Sequence, residues 1–148
     1  MRIRIEMDNA IEEDEVIIRC SELTQEITKL QQLLSDALNQ NRTLLCYQGE
    51  KEIFLSLEDI LFFETEGGAV QVHTADDMYS ISAKLYELEE MLPRYFARVS
   101  KSSILNTKKI YSITKNLSAS SIVEFQNSYK KVYVSRYYYK MLKELLGR

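Results

Sequence analysis

Apolar and polar positions alternate over short stretches of this chain, and a helical period replaces the alternation in only three places. Near the start, RIRIEM (2–7) and EVIIRC (15–20) alternate as two short strands would, with the acidic loop DNAIEED between them. Ser21 then stands where a helix N-cap belongs. Leu23, Ile27, Leu30, Leu34 and Ala37 follow it at spacings of 4, 3, 4 and 3, the seam of an amphipathic helix ending near Asn41. From residue 42 the texture turns to strands: TLLCYQG, EIFLSL, ILFFETEGGAVQVHTADDMYSIS, VSKSSILNT, IYSITKNL, SIVEFQN and KKVYVS. The breaks are turn formers, at Gly49-Glu50, Gly67-Gly68, Asp76-Asp77, Ser118-Ala119-Ser120 and Asn127-Ser128. One short helix, from Leu85 to Leu92, interrupts the strands. Leu85, Leu88, Glu89 and Leu92 give it a side facing the sheet, and Pro93 stops it.

The end of the chain, KKVYVSRYYYKMLKELL (130–146), changes period in the middle. A half-buried strand gives way to apolar residues at 138, 141, 142, 145 and 146, one face of a helix. Ser135 sits at the change as a predicted N-cap, and Arg136 follows at once. The pattern predicts a mainly β fold with short helices, preceded by a small β-hairpin and helix. Its two parts are an N-terminal unit over 1–41 and a mostly antiparallel domain over 42–148.

At 148 residues the chain has room for one ordinary domain with a small addition. Two cysteines, Cys20 and Cys46, and one histidine, His73, are too few for a tetrahedral zinc site within one chain and form no disulfide framework. No cofactor is expected. The longest apolar run, Ile60-Leu61-Phe62-Phe63, falls far short of the roughly 20 residues of a membrane span, and the start shows no export segment. A soluble cytoplasmic protein is the expectation. Catalysis finds little support. His73 lies within a strand pattern, as an outward-facing or hydrogen-bonded histidine, and no nucleophile is paired with a second base. The acidic pairs Glu12-Glu13, Asp76-Asp77 and Glu89-Glu90 are adjacent rather than opposed.

Charge changes the picture. Residues 1–40 carry 4 basic and 9 acidic side chains, residues 41–92 carry 3 and 11, and residues 93–148 carry 12 and 2. So polarised a distribution fits either a basic third paired with the acidic two thirds or a polyanion surface in the last third, and position has to separate the two. Two places in that third gather the right donors. RVSKSSILN (98–106) sets Arg98 and Lys101 among serines, a donor set suited to phosphate oxygens and base edges. Arg136 stands at a strand exit beside a helix N-terminus, with Lys140 and Lys143 at i+4 and i+7 opposite the apolar face. Tyr137 and Tyr139 add hydroxyls there. No two helical segments are joined by a turn of 3–4 residues, so there is no helix-turn-helix, and any reading of DNA comes from loops between strands.

Four pieces of the chain, in this order and spacing, resemble the LytTR DNA-binding domain family of bacterial transcription regulators over residues 44–147. They are EDILFFE, LYELEEMLP, FARVSKSSILNTKKI and VSRYYYKMLK. The resemblance implies an elongated arrangement of small β-sheets whose loops enter successive major grooves. It places base-facing contacts around Gly68 and Ala69, at Lys101 and at Arg136, and phosphate contacts near Arg98, Ser102, Tyr137 and Lys140. Held between a strand and a cored helix, Arg136 reaches DNA with little entropy left to lose. One departure stands in the first turn. Glu66-Gly67-Gly68-Ala69 offers mainly backbone, and Glu66 repels phosphate.

Relatives of this kind commonly follow a phosphorylated receiver domain, whereas residues 1–41 are too few to form one. The resemblance therefore implies activity set by a partner protein, in the manner of stand-alone members controlled by a membrane protein, with residues 1–41 as the partner or dimer contact. Two copies on promoter repeats are expected. The alternative is a protein–protein adaptor whose basic face pairs with an acidic partner. An RNA-binding sheet module would need an exposed aromatic platform, and the tyrosines cluster instead at the last helix.

Overall fold

The computed structural model describes residues 1–38 and 42–147. The chain divides into two compact units, Met1–Ser35 and Asp36–Arg148. In the first unit no residue before Gln25 belongs to a strand or helix, so the expected hairpin of residues 2–7 and 15–20 is not formed. A turn does form in the acidic loop, where the Asp8 carboxylate accepts the Ala10 N–H at 2.9 Å and its carbonyl accepts that of Ile11 at 3.2 Å. The flanking segments stay unpaired because an isolated pair of strands is marginal in water unless its apolar face is covered. Here Ile3, Ile5 and Met7 are 94, 87 and 94% exposed.

Helix α1 (Gln25–Leu38) starts later than expected. Thr24, not Ser21, provides the cap. Its hydroxyl accepts the Ile27 N–H at 3.3 Å and its carbonyl accepts that of Thr28 at 3.0 Å, with Glu26 in the first turn to favour the positive end of the helix. No residue of α1 is buried. The end expected near Asn41 lies outside the described residues.

The second unit is mainly β with short helices, as the pattern predicted. Hairpins β1 (Thr43–Gln48) with β2 (Lys51–Ser56) and β3 (Phe62–Glu66) with β4 (Ala69–His73) are followed by β5 (Met78–Ile81) and α2 (Leu85–Met91). Then come β6 (Phe96–Ser100) and β7 (Ser103–Asn106). These seven strands form one antiparallel sheet in the order β2-β1-β5-β4-β3-β7-β6. A second antiparallel sheet, β10-β9-β8, is built from β8 (Ile110–Thr114), β9 (Ser121–Phe125) and β10 (Lys131–Val134), and α3 (Arg136–Leu145) follows.

The period of two explains where the cores sit. Phe63 of β3, Phe96 of β6 and Ile104 of β7 face one core, which β1, β2, β4 and α2 complete through residues such as Cys46, Leu55, Val72 and Leu88. Their sequence neighbours Phe62, Ala97 and Leu105 face a second core with Val123, Phe125, Val132, Val134 and Leu142. Strands β3, β7 and β6 are thus buried on both faces, which is why ILFF reads as an unbroken apolar run. Buried Asn106 pins the end of β7. Its side-chain amide donates to the Ile60 carbonyl at 3.0 Å, its side-chain oxygen accepts the Lys108 N–H at 3.0 Å, and its own N–H donates to Leu61 at 2.8 Å.

Helix α3 sits on the second core differently from its apolar pattern. Leu142 is buried, and Tyr138, Tyr139 and Leu146 pack beside it, whereas Met141 and Leu145 are 46 and 47% exposed. The helix is turned toward Tyr139, whose ring offers more apolar surface to cover than the Met141 thioether.

His73 joins the two sheets. Its ring stacks on Phe62 with centroids 4.2 Å apart, Phe62 stacks on Phe125 of β9, and Nδ1 lies 3.2 Å from the Lys130 ammonium. Burial, with the Lys130 charge second, holds the imidazole down from 6.5 to about 4. Neutral His73 accepts a hydrogen bond at Nδ1 from the Lys130 ammonium. Below pH 6.5 the unfolded chain binds a proton that the folded protein refuses until about pH 4, so this contribution to stability is complete above that window and lost as pH falls through it. Urea denaturation is expected to give a lower midpoint at about pH 5 than at about pH 7.5, and His73→Gln to flatten that part of the dependence.

Candidate nucleic-acid interface

Three chain reversals meet at one end of the seven-stranded sheet. The first is the β3–β4 turn. Glu66 and Ala69 are paired across Gly67-Gly68, whose φ values of 60° and 82° form the two-residue turn that suits the twist of a hairpin. An added Cβ would meet nothing within 4 Å at either glycine, so the backbone conformation alone demands them. The second is the β6–β7 turn, Lys101-Ser102, closed by the Ser100–Ser103 pair. The third is the passage from β10 into α3 at Ser135.

Two backbone hydrogen bonds tie the three together. The Thr65 N–H donates to the Ser102 carbonyl at 2.8 Å, so the second turn extends the β3–β7 ladder beyond Glu64–Ser103 and lies beside the first. In β6 the register shifts between Arg98 and Ser100, and the intervening Val99 carbonyl accepts the Ser135 N–H at 2.8 Å. Ser135 then caps α3, its hydroxyl accepting the Tyr138 N–H at 3.4 Å. The cap holds Arg136 at the first helical position, next to the Ser135 N–H that meets the β6 bulge.

The residues singled out in the sequence separate into two groups. Gly68, Ala69, Lys101, Ser102, Arg136, Tyr137 and Lys140 are all exposed. Among the described residues no ion pair engages Lys101, Arg136, Lys140 or Lys143. Tyr137 is 77% exposed and stands edge-on to Tyr138. Ser102 is held within its turn, its N–H donating to the Ser100 hydroxyl at 3.1 Å. Arg98 differs. Expected near phosphate, it is engaged within the protein, with Nε donating to the Ser100 carbonyl at 2.7 Å, one terminal nitrogen to the Lys101 carbonyl and the other to the Glu89 carboxylate.

Sequence reasoning gave no part in the site to Glu89, Thr65 or the Val99 bulge. Only Glu89 left a signal, an acid on the side of α2 that faces the sheet. Glu64 also stands at this end, accepting from the Ser103 hydroxyl at 3.2 Å. The rim is thus cationic at Lys101 and along α3, and carries carboxylates beside the glycine turn.

The model of the LytTr DNA-binding domain family matches residues 50–147, from the β1–β2 hairpin through α3. The chain belongs to this family. Two uncharacterised HTH-type transcriptional regulators of Staphylococcus aureus, from strains COL and MW2, are each 30% identical to it over 111 residues, 74% of this chain and 74% of theirs. A LytTr DNA-binding domain from Bacillus cereus has the same fold, with a TM-score of 0.67 at 21% identity, covering 72% of this chain and 98% of that one. Membership of the LytTr family places the protein among DNA-binding transcription regulators. Although the S. aureus relatives are named for a helix-turn-helix, the two helices of this LytTr domain, α2 and α3, are separated by five strands. Among the described residues, none is joined to another by a short turn.

Leu142 is the buried side chain through which α3, and with it Arg136, is seated. Leu142→Ala is expected to destabilise the protein by about 2–5 kcal/mol in urea denaturation. Half-exposed Met141→Ala should cost under about 1 kcal/mol.

Proposed function

We propose that the protein is a sequence-specific regulator of transcription that reads major grooves with the turns between its strands. Lys101 and Arg136 contact bases, and Ser102, Tyr137 and Lys140 contact the phosphate backbone. The glycine turn at Gly68 and Ala69 approaches the groove with its backbone, since Glu66 beside it disfavours close contact with phosphate. One observation carries the reading: two turns and a capped helix start, distant in sequence, are hydrogen-bonded into one rim on which Lys101, Arg136 and Lys140 form no ion pair among the described residues. Cations left facing solvent on a rigid edge remain available to a polyanion rather than being neutralised within the protein. In the basic third only Arg98 and Lys131 form ion pairs among the described residues, and the Lys131–Glu124 pair at 3.7 Å is solvent-exposed.

The protein acts as a homodimer in the cytoplasm, two copies occupying repeated half-sites. Residues 1–41 carry the contact with the second copy or with a regulating protein. The seam Ile27, Leu30 and Leu34 of α1, only partly covered in the single chain, supports that assignment. No helix among the described residues is long and apolar enough to cross a membrane.

Selection of bound sequences from random duplexes tests this reading, the expected result being a short motif repeated at a fixed spacing. On the selected duplex, Arg136→Ala is expected to weaken binding by about 1–3 kcal/mol and to relax preference at one or two base pairs. Unchanged affinity and preference would remove Arg136 from the site. Affinity is also expected to fall with salt at a log–log slope of about −0.9 per phosphate neutralised. A flat response in a filter-binding series would assign the basic third to another partner.

A further inference from the structure

Arg98 has all three of its nitrogens occupied within the protein. Nε and one terminal nitrogen donate to two successive carbonyls, those of Ser100 and Lys101, and the other terminal nitrogen meets Glu89 of α2. The side chain is only 20% exposed. A guanidinium presents its donors in one rigid plane, so it cannot swing toward a phosphate without abandoning both carbonyls together. The register shift at Val99 interrupts the β6–β7 ladder just before this turn, so the turn depends on side-chain support for its shape.

We propose that Arg98 is a positioning residue for DNA reading. It braces the Lys101-Ser102 turn against α2 through Glu89, fixing the direction in which Lys101 meets a base, and makes no phosphate contact itself. The proposal rests on the reading of this rim as the DNA-binding surface. Pairing has a second consequence. The Glu89 carboxylate is neutralised where it would otherwise repel the duplex, and the positive charge of Arg98 is withdrawn from the set that attracts it.

The two roles for Arg98 respond oppositely to lysine. An ammonium replaces a guanidinium well as a point charge beside phosphate, but it cannot hold two carbonyls and a carboxylate in one plane. The experiment measures wild type, Arg98→Lys, Arg98→Gln, Glu89→Gln, Lys101→Ala and the pairings of Arg98→Lys and of Glu89→Gln with Lys101→Ala, on the selected duplex and its single-base-pair variants, across a salt series. Arg98→Lys and Glu89→Gln are expected to lose about tenfold on the preferred sequence, at the base pairs where Lys101→Ala loses preference. The salt slope should stay as in wild type, and either change should add little in the Lys101→Ala background. Arg98→Lys binding like wild type, together with Arg98→Gln lowering the slope by about one phosphate, would overturn the brace in favour of direct contact. Glu89→Gln tightening binding to every duplex, with preference intact, would overturn it too.

Amide hydrogen exchange on the protein alone separates failure of the brace from failure of the DNA reading. The brace requires faster exchange at the Ser102 N–H in Arg98→Lys, and an unchanged rate there rejects it. Wild type that fails to discriminate among duplexes instead rejects the DNA reading while leaving the exchange result standing.

Discussion

The second unit depends on burying three neighbouring strands, β3, β7 and β6, on both faces. Each presents one apolar residue to one core and the next to the other, in the pairs Phe62 and Phe63, Leu105 and Ile104, Ala97 and Phe96. A strand of period two covered on both sides cannot slip by a residue without exchanging every side chain between two differently shaped interiors. Burial on both faces therefore specifies the register of these strands strongly. Asn106 adds a directional lock at the far end of β7, with both ends of its amide satisfied in a buried setting.

A fixed register determines where the turns emerge. Once Glu64 lies opposite Ser103, the glycine turn and the Lys101-Ser102 turn must leave the same end of the sheet side by side. The bulge at Val99 then frees a carbonyl at the sheet edge, and the start of α3 is drawn onto it through Ser135. Tyr139, Leu142 and Leu146 hold that helix on the second core. The turn that bears Lys101 and the helix start that bears Arg136 are tied to β3 and β6 by backbone hydrogen bonds rather than by any attraction between two like charges. The energy that assembles a cationic rim comes from apolar surface buried elsewhere.

Acidic residues are placed with the same economy. Glu89 is taken up by Arg98 and Glu64 by the Ser103 hydroxyl. Glu66 stays exposed beside the glycine turn, which lacks a donating side chain. The rim therefore divides between an α3 side, which is cationic, and a β3–β4 side, where backbone is the main group on offer.

Much of this was readable in the sequence. Alternation, with glycine, asparagine and aspartate at the breaks, marked most strands of the second unit, although the Lys101-Ser102 turn that parts β6 from β7 has no such break, and Ser135 and Pro93 marked a helix start and a helix end because capping and proline geometry are local. The cationic pieces at 98–103 and 136–143 stood out because charge is additive along a chain. The tertiary structure decided what depends on covering and pairing. Residues 2–7 and 15–20 alternate as well as any strand, yet remain without partners because alternation provides a face and only another layer can bury it. Residue type alone suited Arg98 to phosphate, and only the fold showed that Glu89, in another element, and two turn carbonyls accept from its nitrogens. Local rules act within a few residues, whereas a hydrogen-bonding group's partner, and a helix face's depth in the core, depend on segments that only folding brings within reach.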